Sequence, residues 1–243
     1  MKRQRTAYIT GGASGIARAL ATLLLSQGWR VFVSDRNEAQ AKQFADEYNT
    51  TSKSSALSYA ECDTSSGFVK PYLSVFGVDL TGVLYTIALA LQQFRRQDPQ
   101  QWSSTSQRVL RGEIALVVSV CVFYCVPSLP IYTAAKHALI GLTRSYGKLL
   151  PDHGITLCAV APNVVRTSIS SSVFYGQMEA QGILTPMEGV MDAFTDIIES
   201  SASGEVYECG PKNRWTKRPG TTYLDVESEK CCELLLARAE VLH

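Results

Sequence analysis

The chain reads as an α/β protein built on one doubly wound, mostly parallel sheet. Three observations predict this class. Short β-branched runs alternate with helical patterns along most of the chain. The first such run, Thr6 to Thr10, passes directly into a glycine turn and then a helix. The second run, Arg30 to Ser34, ends on a carboxylate, Asp35, twenty residues after Gly15.

Composition narrows the function. With 243 residues, 46% hydrophobic and 19% charged, the chain suits a single domain able to bury a full core. A net charge of +1 argues against a dedicated nucleic-acid or membrane-surface binder. The opening MKRQRTAYITGG is basic but runs straight into a strand pattern, so no export is implied and a cytoplasmic location is expected. The longest apolar run, Ile114 to Val126 broken by Ser119, is too short to span a bilayer and reads as a buried strand. Seven scattered cysteines form no C-x-x-C pair, and His137, His153 and His243 share no metal-ligand spacing, so reduced thiols and no metal are expected. His137 reads as a helix-surface residue.

The first strand is followed by Gly11-Gly12-Ala13-Ser14-Gly15-Ile16-Ala17 and a helix that ends before Gly28, its apolar face carrying Ile16, Leu20, Leu23 and Leu24. Strand, glycine turn and helix together can cradle a pyrophosphate: glycine lets the backbone approach closely, and the helix N-terminus offers free N–H groups. A plain β-α turn is the competing reading. Asp35 can accept hydrogen bonds from both hydroxyls of an adenosine ribose and would repel a 2′-phosphate, which favours NAD over NADP. Ser14, where a basic residue would help hold that phosphate, points the same way; Arg36 points the other way or is an ordinary solvated charge. Asn37 caps a helix over about Glu38 to Tyr48, and a third strand, Ala56 to Glu61, closes on Cys62-Asp63. Asp63 can touch an adenine ring or serve only as a strand-end turn former.

The chemistry is expected in the stretch from Ile114 to Leu150. A strand from Ile114 to Val120 turns through Pro127 and Pro130 into a helix that holds Tyr132 and Lys136. Four residues apart, phenol and ammonium share one helix face. A cation about 4 Å from a phenol, at an effective dielectric of about 20, favours the phenolate by about 4 kcal/mol, enough to make a tyrosine a usable acid or base. Ser119, thirteen residues before Tyr132, can meet the same point from the sheet and hydrogen-bond a substrate oxygen. By itself Tyr-x-x-x-Lys is a common pattern that also arises as a helix-surface contact.

Taken together, TGGASGIA near the start, Asp35, Asp63, Ser119, Tyr132-x-x-x-Lys136 and the run Pro162-Asn163-Val164-Val165-Arg166-Thr167 resemble the single-domain short-chain dehydrogenase/reductase family, in the family's order, over about Thr6 to Gly210. The resemblance implies a Rossmann-like domain over residues 1–210 with a C-terminal extension, 211–243. It implies that Tyr132 is the general acid/base, that Lys136 assists it and binds the nicotinamide ribose, and that Ser119 orients the substrate oxygen. Gly11, Ser14, Gly15, Ile16, Asp35, Asp63, Val165 and Thr167 would then contact the cofactor, Val165 at the carboxamide and Thr167 at a phosphate. The segment TPMEGVMDAF resembles the hydroxyprostaglandin-dehydrogenase-like branch.

Some positions depart from the family pattern. Sixteen residues, Thr64 to Asp79, stand where the family has a helix, a strand and an Asn-Asn-Ala-Gly turn, and a βαβ unit needs about thirty. The fourth strand is therefore expected to be missing, with Tyr72 to Phe76 as a makeshift replacement. Asp79-Leu80-Thr81-Gly82-Val83 resembles the family's Asn-x-x-Gly-Val, with aspartate in place of a catalytic asparagine; its charge would stabilise protonated Lys136. Ala17 and Asn163 replace glycines, Asn163 at a place that tolerates a left-handed turn.

The helix from about Leu80 to Arg96 carries Val83, Ile87, Leu91 and Phe94 along one side and ends at Asp98-Pro99. The family's use of this helix and the Tyr132 helix implies a homodimer or homotetramer; the alternative is a stripe that only faces the sheet. Ile155 to Val160 form a further strand, and Ser168 to Thr185 a mobile substrate lid, with Val173, Phe174, Tyr175 and Met178 as apolar lining or as a satellite core cluster. A helix from Pro186 and a strand over Ser203 to Tyr207 close the domain, and a helix from Asp225 ends the tail. The function expected is an NAD-linked interconversion of a secondary alcohol and a ketone on a hydrophobic small molecule, a lipid or a secondary metabolite. The alternative is a degenerate chain that survives only as a structural or dimerisation partner.

Overall fold

The computed structural model describes residues 5–52, 56–61, 74–102, 108–200 and 202–239. The first part is a β-α-β-α-β unit: β1 (Thr6–Thr10), α1 (Gly15–Ser26), β2 (Arg30–Asp35), α2 (Glu38–Ser52) and β3 (Leu57–Glu61), with the strands parallel in the order β1-β2-β3. Alternation along β2 turns Val31 and Val33 inward, where Ile9, Leu24, Leu25 and Phe44 close over them. The opposite face is left open: Tyr8 is 55% exposed and stacks on Phe32 at 5.3 Å.

The second part holds β6 (Gly112–Val117), α5 (Pro130–Leu149), β7 (Ile155–Pro162), α6 (Ser172–Ala180), α7 (Met187–Glu199), β8 (Val206–Gly210) and β9 (Arg214–Lys217). Strands β6, β7 and β8 are parallel, and β9 turns back antiparallel on β8. All eight residues of β7 are buried, as a central parallel strand covered on both faces requires. The last parallel strand begins at Val206 rather than Ser203, because Gly204 adopts a left-handed φ of +80° and turns the chain just before it.

The fold class is the expected one, a mixed α/β chain with mostly parallel pairing, but its sheet comes in two halves. Among the described residues β1 pairs with β2 alone and β6 with β7 alone. The halves are joined by helices. Helix α1 packs on α7, and Ile16 and Leu20 enter the cluster of Val190, Phe194 and Ile197. Beside this joint, a two-stranded pairing of β4 (Gln100–Gln101) with β5 (Val109–Leu110) carries Trp102, which meets Trp29 edge-on at 5.8 Å.

The makeshift strand over Tyr72 to Phe76 is not formed. Ser74–Phe76 (α3) is helical and opens a continuous run through a π-helical stretch, Gly77–Gly82, into α4 (Val83–Arg95); Tyr72 and Leu73 lie outside the described residues. A short apolar segment satisfies its backbone locally as a helix, whereas a strand needs a neighbour to pair with. By length and composition the run Ser74–Arg95 is apolar enough to cross a membrane. Here Ile87 and Leu91 are buried against Ile114 and Leu116 of β6, while Leu84, Tyr85 and Leu89 on the same run stay exposed.

The tail docks in part. Beyond β9, Arg144 of α5 donates to the carbonyl of Pro219 at 2.9 Å, while the final helix, α8 (Val226–Ala239), leaves Leu234 and Leu235 exposed. Among the described residues the cysteines are free and no group of three metal-ligating side chains occurs.

One buried carboxylate serves neither the core nor the site described below. Glu113 of β6 stands beside Thr156 of β7, whose hydroxyl donates to Oε1 at 3.2 Å. Burial pushes its pKa from 4.5 up to about 7, with Arg108, Thr156 and Trp102 pulling back only part of the shift. A carboxyl raised in the folded state stabilises the fold fully below about pH 4.5 and loses that contribution as pH rises to about 7. We expect urea denaturation at pH 5 and pH 8 to show Glu113→Gln gaining stability relative to wild type at the higher pH, by up to about 3 kcal/mol. An identical pH dependence in the two proteins would refute the assignment.

Candidate active site

The glycine turn between β1 and α1 is shaped by contact as well as by conformation. Gly11 and Gly15 have φ of +65° and +57°, which disfavours any side chain. A Cβ at Gly12 would lie 2.6 Å from Val33 Cγ1, so that glycine lets the turn sit down on β2. Ser14 is the extended N-cap residue of α1 and makes no side-chain capping bond, which leaves the first turn of the helix without a side-chain acceptor. Asp35 ties the turn to the end of β2: its Oδ2 accepts from Ala13 N at 3.1 Å and its Oδ1 from Asn37 N at 2.9 Å. Each oxygen retains a lone pair for a further donor. Asp63 lies outside the described residues.

The loop after β7 reaches the same turn. Thr167 packs over it, with its Cγ2 3.3 Å from an ideal Cβ at Gly15. Val165 turns its side chain into the core against the α7 cluster, so that only its backbone is available to a ligand. Asn163 is not among the left-handed residues; its Oδ1 accepts from the N–H of the next residue, Val164, at 2.8 Å.

Three elements converge at the C-terminal end of β6. Ser119, just past the strand, is the N-cap of a 3₁₀ turn, Val120–Val122, which packs on α5. Its Oγ accepts from Cys121 N at 3.2 Å, so the hydroxyl hydrogen remains free to donate. Tyr132 and Lys136 lie on one face of α5, with Lys136 Nζ 5.3 Å from the centroid of the Tyr132 ring. Lys136 is 7% exposed, and its ammonium pairs with Asp79 Oδ1 at 2.8 Å. The π-helical stretch Gly77–Gly82 packs on α5 and presents that carboxylate. His137 stays on the helix surface, its Nδ1 2.9 Å from the carbonyl of Thr133.

The segment expected to be a lid contains helix α6, capped by Ser171, whose Oγ accepts from Phe174 N at 3.2 Å. Its residues divide. Val173 is 69% exposed, Phe174 and Met178 are half-buried, and Tyr175 is buried. The Tyr175 hydroxyl lies 3.3 Å from Thr167 Oγ1, a contact that sequence spacing does not announce, because it depends on how the loop after β7 folds back. Burial would raise the Tyr175 phenol, but hydrogen-bond donors from Thr167 and Ser170 outweigh it and hold its pKa below the ordinary tyrosine value.

The family model for short chain dehydrogenases matches residues 5–70 and 69–177. The chain is 31% identical over 193 residues to a 2,5-dichloro-2,5-cyclohexadiene-1,4-diol dehydrogenase of Sphingobium indicum, covering 67% of this chain and 73% of the relative. It is 25% identical over 209 residues to a short-chain dehydrogenase/reductase of Penicillium rubens, covering 74% of this chain and 60% of the relative's length. Its fold matches the crystal structure of 3-hydroxyacyl-CoA dehydrogenase type-2 from Mycobacterium avium with a TM-score of 0.73 at 19% identity, over 88% of this chain and 97% of that one. The chain therefore belongs to the short-chain dehydrogenase family, NAD(P)-dependent oxidoreductases of small-molecule alcohols and ketones.

Proposed function

We propose that the protein interconverts a secondary alcohol and a ketone on a hydrophobic small molecule, with NAD as the cofactor it prefers. The observation that carries this reading is that the 3₁₀ turn capped by Ser119, just beyond β6, packs on the helix that holds Tyr132 and Lys136 on one face. The residues present fit a dinucleotide. Gly11 and Gly15 keep the turn free of side chains, the first turn of α1 has no side-chain cap, and Asp35 keeps acceptor capacity for ribose hydroxyls. Gly11, Ser14, Gly15, Ile16, Asp35 and Thr167 would hold it, together with the backbone of Val165 and with Asp63. When bound, the nicotinamide supplies or accepts a hydride.

The chain's own groups handle the proton and the orientation. Ser119 donates its free hydroxyl hydrogen to the substrate oxygen and fixes it against the Tyr132 phenol. Tyr132 gives or takes the proton at that oxygen. Lys136 places a positive charge beside the phenol where negative charge develops, and Asp79 holds the ammonium in place. The substrate lid is the segment Ser168 to Thr185, whose α6 presents Phe174 and Met178 half-buried. The exposed apolar residues Tyr85 and Leu89 on α4 support a homodimer. The lost fourth strand remains part of this reading. Its support is that the family model matches in two segments meeting at residues 69–70, and that β1 and β6 are bridged by no strand among the described residues.

Isothermal titration with NAD and NADP tests the cofactor: micromolar binding of NAD, and weaker binding of NADP, is expected. Binding of neither would instead favour a chain that keeps the fold without the chemistry. Tyr132→Phe should abolish turnover while NAD affinity stays within a few-fold; a variant as active as wild type would end the proton-transfer role. For the ion pair, Asp79→Ala strands a buried ammonium and should lower stability by about 2 kcal/mol in urea denaturation, while Asp79→Asn, which keeps an oxygen acceptor, should lose less than half of that. Equal losses in the two variants would show that the acceptor oxygen contributes nothing beyond the charge, and no loss in Asp79→Ala would show that the pairing is unimportant.

A further inference from the structure

Ser119 can orient a substrate oxygen only if the turn that it caps holds still. That turn runs on to Tyr124, whose N–H donates to the carbonyl of Val120 at 2.9 Å. The Tyr124 phenol in turn donates to Glu208 Oε1 of β8 at 2.9 Å, across 84 positions of chain. Chemistry fixes the direction of that bond, because a carboxylate paired with a guanidinium has no hydrogen to give. Arg218 supplies the guanidinium: its Nε lies 3.2 Å from Glu208 Oε2, and its Cζ stands 5.3 Å from the centroid of the Phe123 ring. One carboxylate thus holds the turn through one oxygen and the chain beyond β9 through the other.

The placement follows from register. Val118, just before Ser119, donates its N–H to the carbonyl of Val160 at 2.8 Å, and Ala161, the next residue of β7, pairs with Glu208. Glu208 therefore stands level with the start of the turn, two strands away, which is about 10 Å at ordinary strand spacing. Alternation along β8 sends Tyr207 and Cys209 into the α7 cluster and Glu208 to the opposite face, the face on which Ala161 joins the α5 cluster. The chain beyond β9 is itself tied down there, since Arg144 of α5 donates to the carbonyls of Arg218 and Pro219 at 3.5 and 2.9 Å. A side-chain carboxylate only 18% exposed is costly to keep unless both its oxygens are used, and here both are.

We propose that Glu208 is a positioning residue: through Tyr124 and Arg218 it clasps the turn that Ser119 caps, so that β8 and the C-terminal extension together set where the Ser119 hydroxyl points. The proposal rests on the role given to Ser119 above and adds to it the participation of residues beyond 210. The line of transmission is short. With Tyr124 held, Val120 to Tyr124 keep one turn, Cys121 N stays on Ser119 Oγ at 3.2 Å, and the hydroxyl hydrogen is left to donate outward.

Alkylation of the full chain by iodoacetamide, read cysteine by cysteine by mass spectrometry, tests the clasp. Cys121 is buried within the turn, Cys158 is buried in β7 and reports opening of the whole fold, and Cys125 is exposed and reports the reagent. Tyr124→Phe removes one oxygen from an exposed side chain, and matching circular dichroism spectra establish that the variant folds. It should label Cys121 about fivefold faster than wild type, the effect of one lost hydrogen bond to a charged group at a partly exposed place, with Cys158 unchanged. Glu208→Ala should do at least as much, the double variant no more than Glu208→Ala, and Glu208→Gln, which keeps an acceptor for the phenol, less. Unchanged labelling of Cys121, equal acceleration at Cys121 and Cys158, or independent effects in the double variant would each overturn the clasp. Turnover of a panel of apolar ketones with NADH reads the link to Ser119: Tyr124→Phe should lower kcat about fivefold with little change in KM, and should cost nothing further in a Ser119→Ala background. A loss that persists in that background overturns transmission through Ser119. A Ser119→Ala variant as active as wild type instead removes the role of Ser119 itself, while the labelling still decides the clasp.

Discussion

The packing of α1 on α7 is the constraint on which the rest of this molecule depends. In a continuous parallel sheet, hydrogen bonds fix the position of each strand relative to all the others. Here the ladder that carries the glycine turn and the ladder that carries Ser119 are not bonded to each other among the described residues. Their relative placement comes from side chains instead: Ile16 and Leu20 seated among Val190, Phe194 and Ile197, and Trp102 set edge-on to Trp29. Apolar contacts are less directional than backbone hydrogen bonds, so the register of the glycine turn against the helix of Tyr132 and Lys136 is set by packing shape. The close approach of Thr167 to Gly15 is the visible product of that packing.

Within the site, charge is arranged tightly on one side and sparsely on the other. Lys136 and Asp79 form a nearly closed pair at 2.8 Å with little exposure, so the ammonium is both desolvated and neutralised by its own chain. The glycine turn, by contrast, offers backbone N–H groups, with Asp35 bonded to Ala13 N on one side and the Arg18 guanidinium 3.5 Å from the carbonyl of Ala13 on the other. The proposed preference for NAD rests on the carboxylate at this turn, which would repel a further phosphate on the ribose.

How much of this could be read from the chain depended on whether the information was local. The glycine turn, Asp35 and the Tyr132–Lys136 pair depend on spacings within one strand-turn-helix or one helix, and the periodicity of the residues carries them. The proposed loss of a strand between Asp63 and Leu80 was read from chain length alone. What filled that shortage was not: the segment ending in Phe76 is short and apolar, a pattern shared by buried strands and buried helices, and the helix extends back to Ser74. The π-helical stretch that presents Asp79 has no spacing signature, since it reflects how Gly77 to Gly82 settles against α5. Tyr175 looked equivalent to Val173 in the sequence. Its burial follows from the fold of the loop between Pro162 and Ser171, a tertiary event outside the reach of helix periodicity.

The antiparallel strand β9 has a consequence for how the chain behaves in company. It sheathes β8 and presents Arg214 and Lys217 along the outer rim of its sheet, a positively charged border that resists the addition of another chain's strand. Among the described residues no strand is paired to the other side of β1 or of β6. The outer rim, where most sheets are vulnerable to self-assembly, is thus the one this chain guards by pairing and by charge.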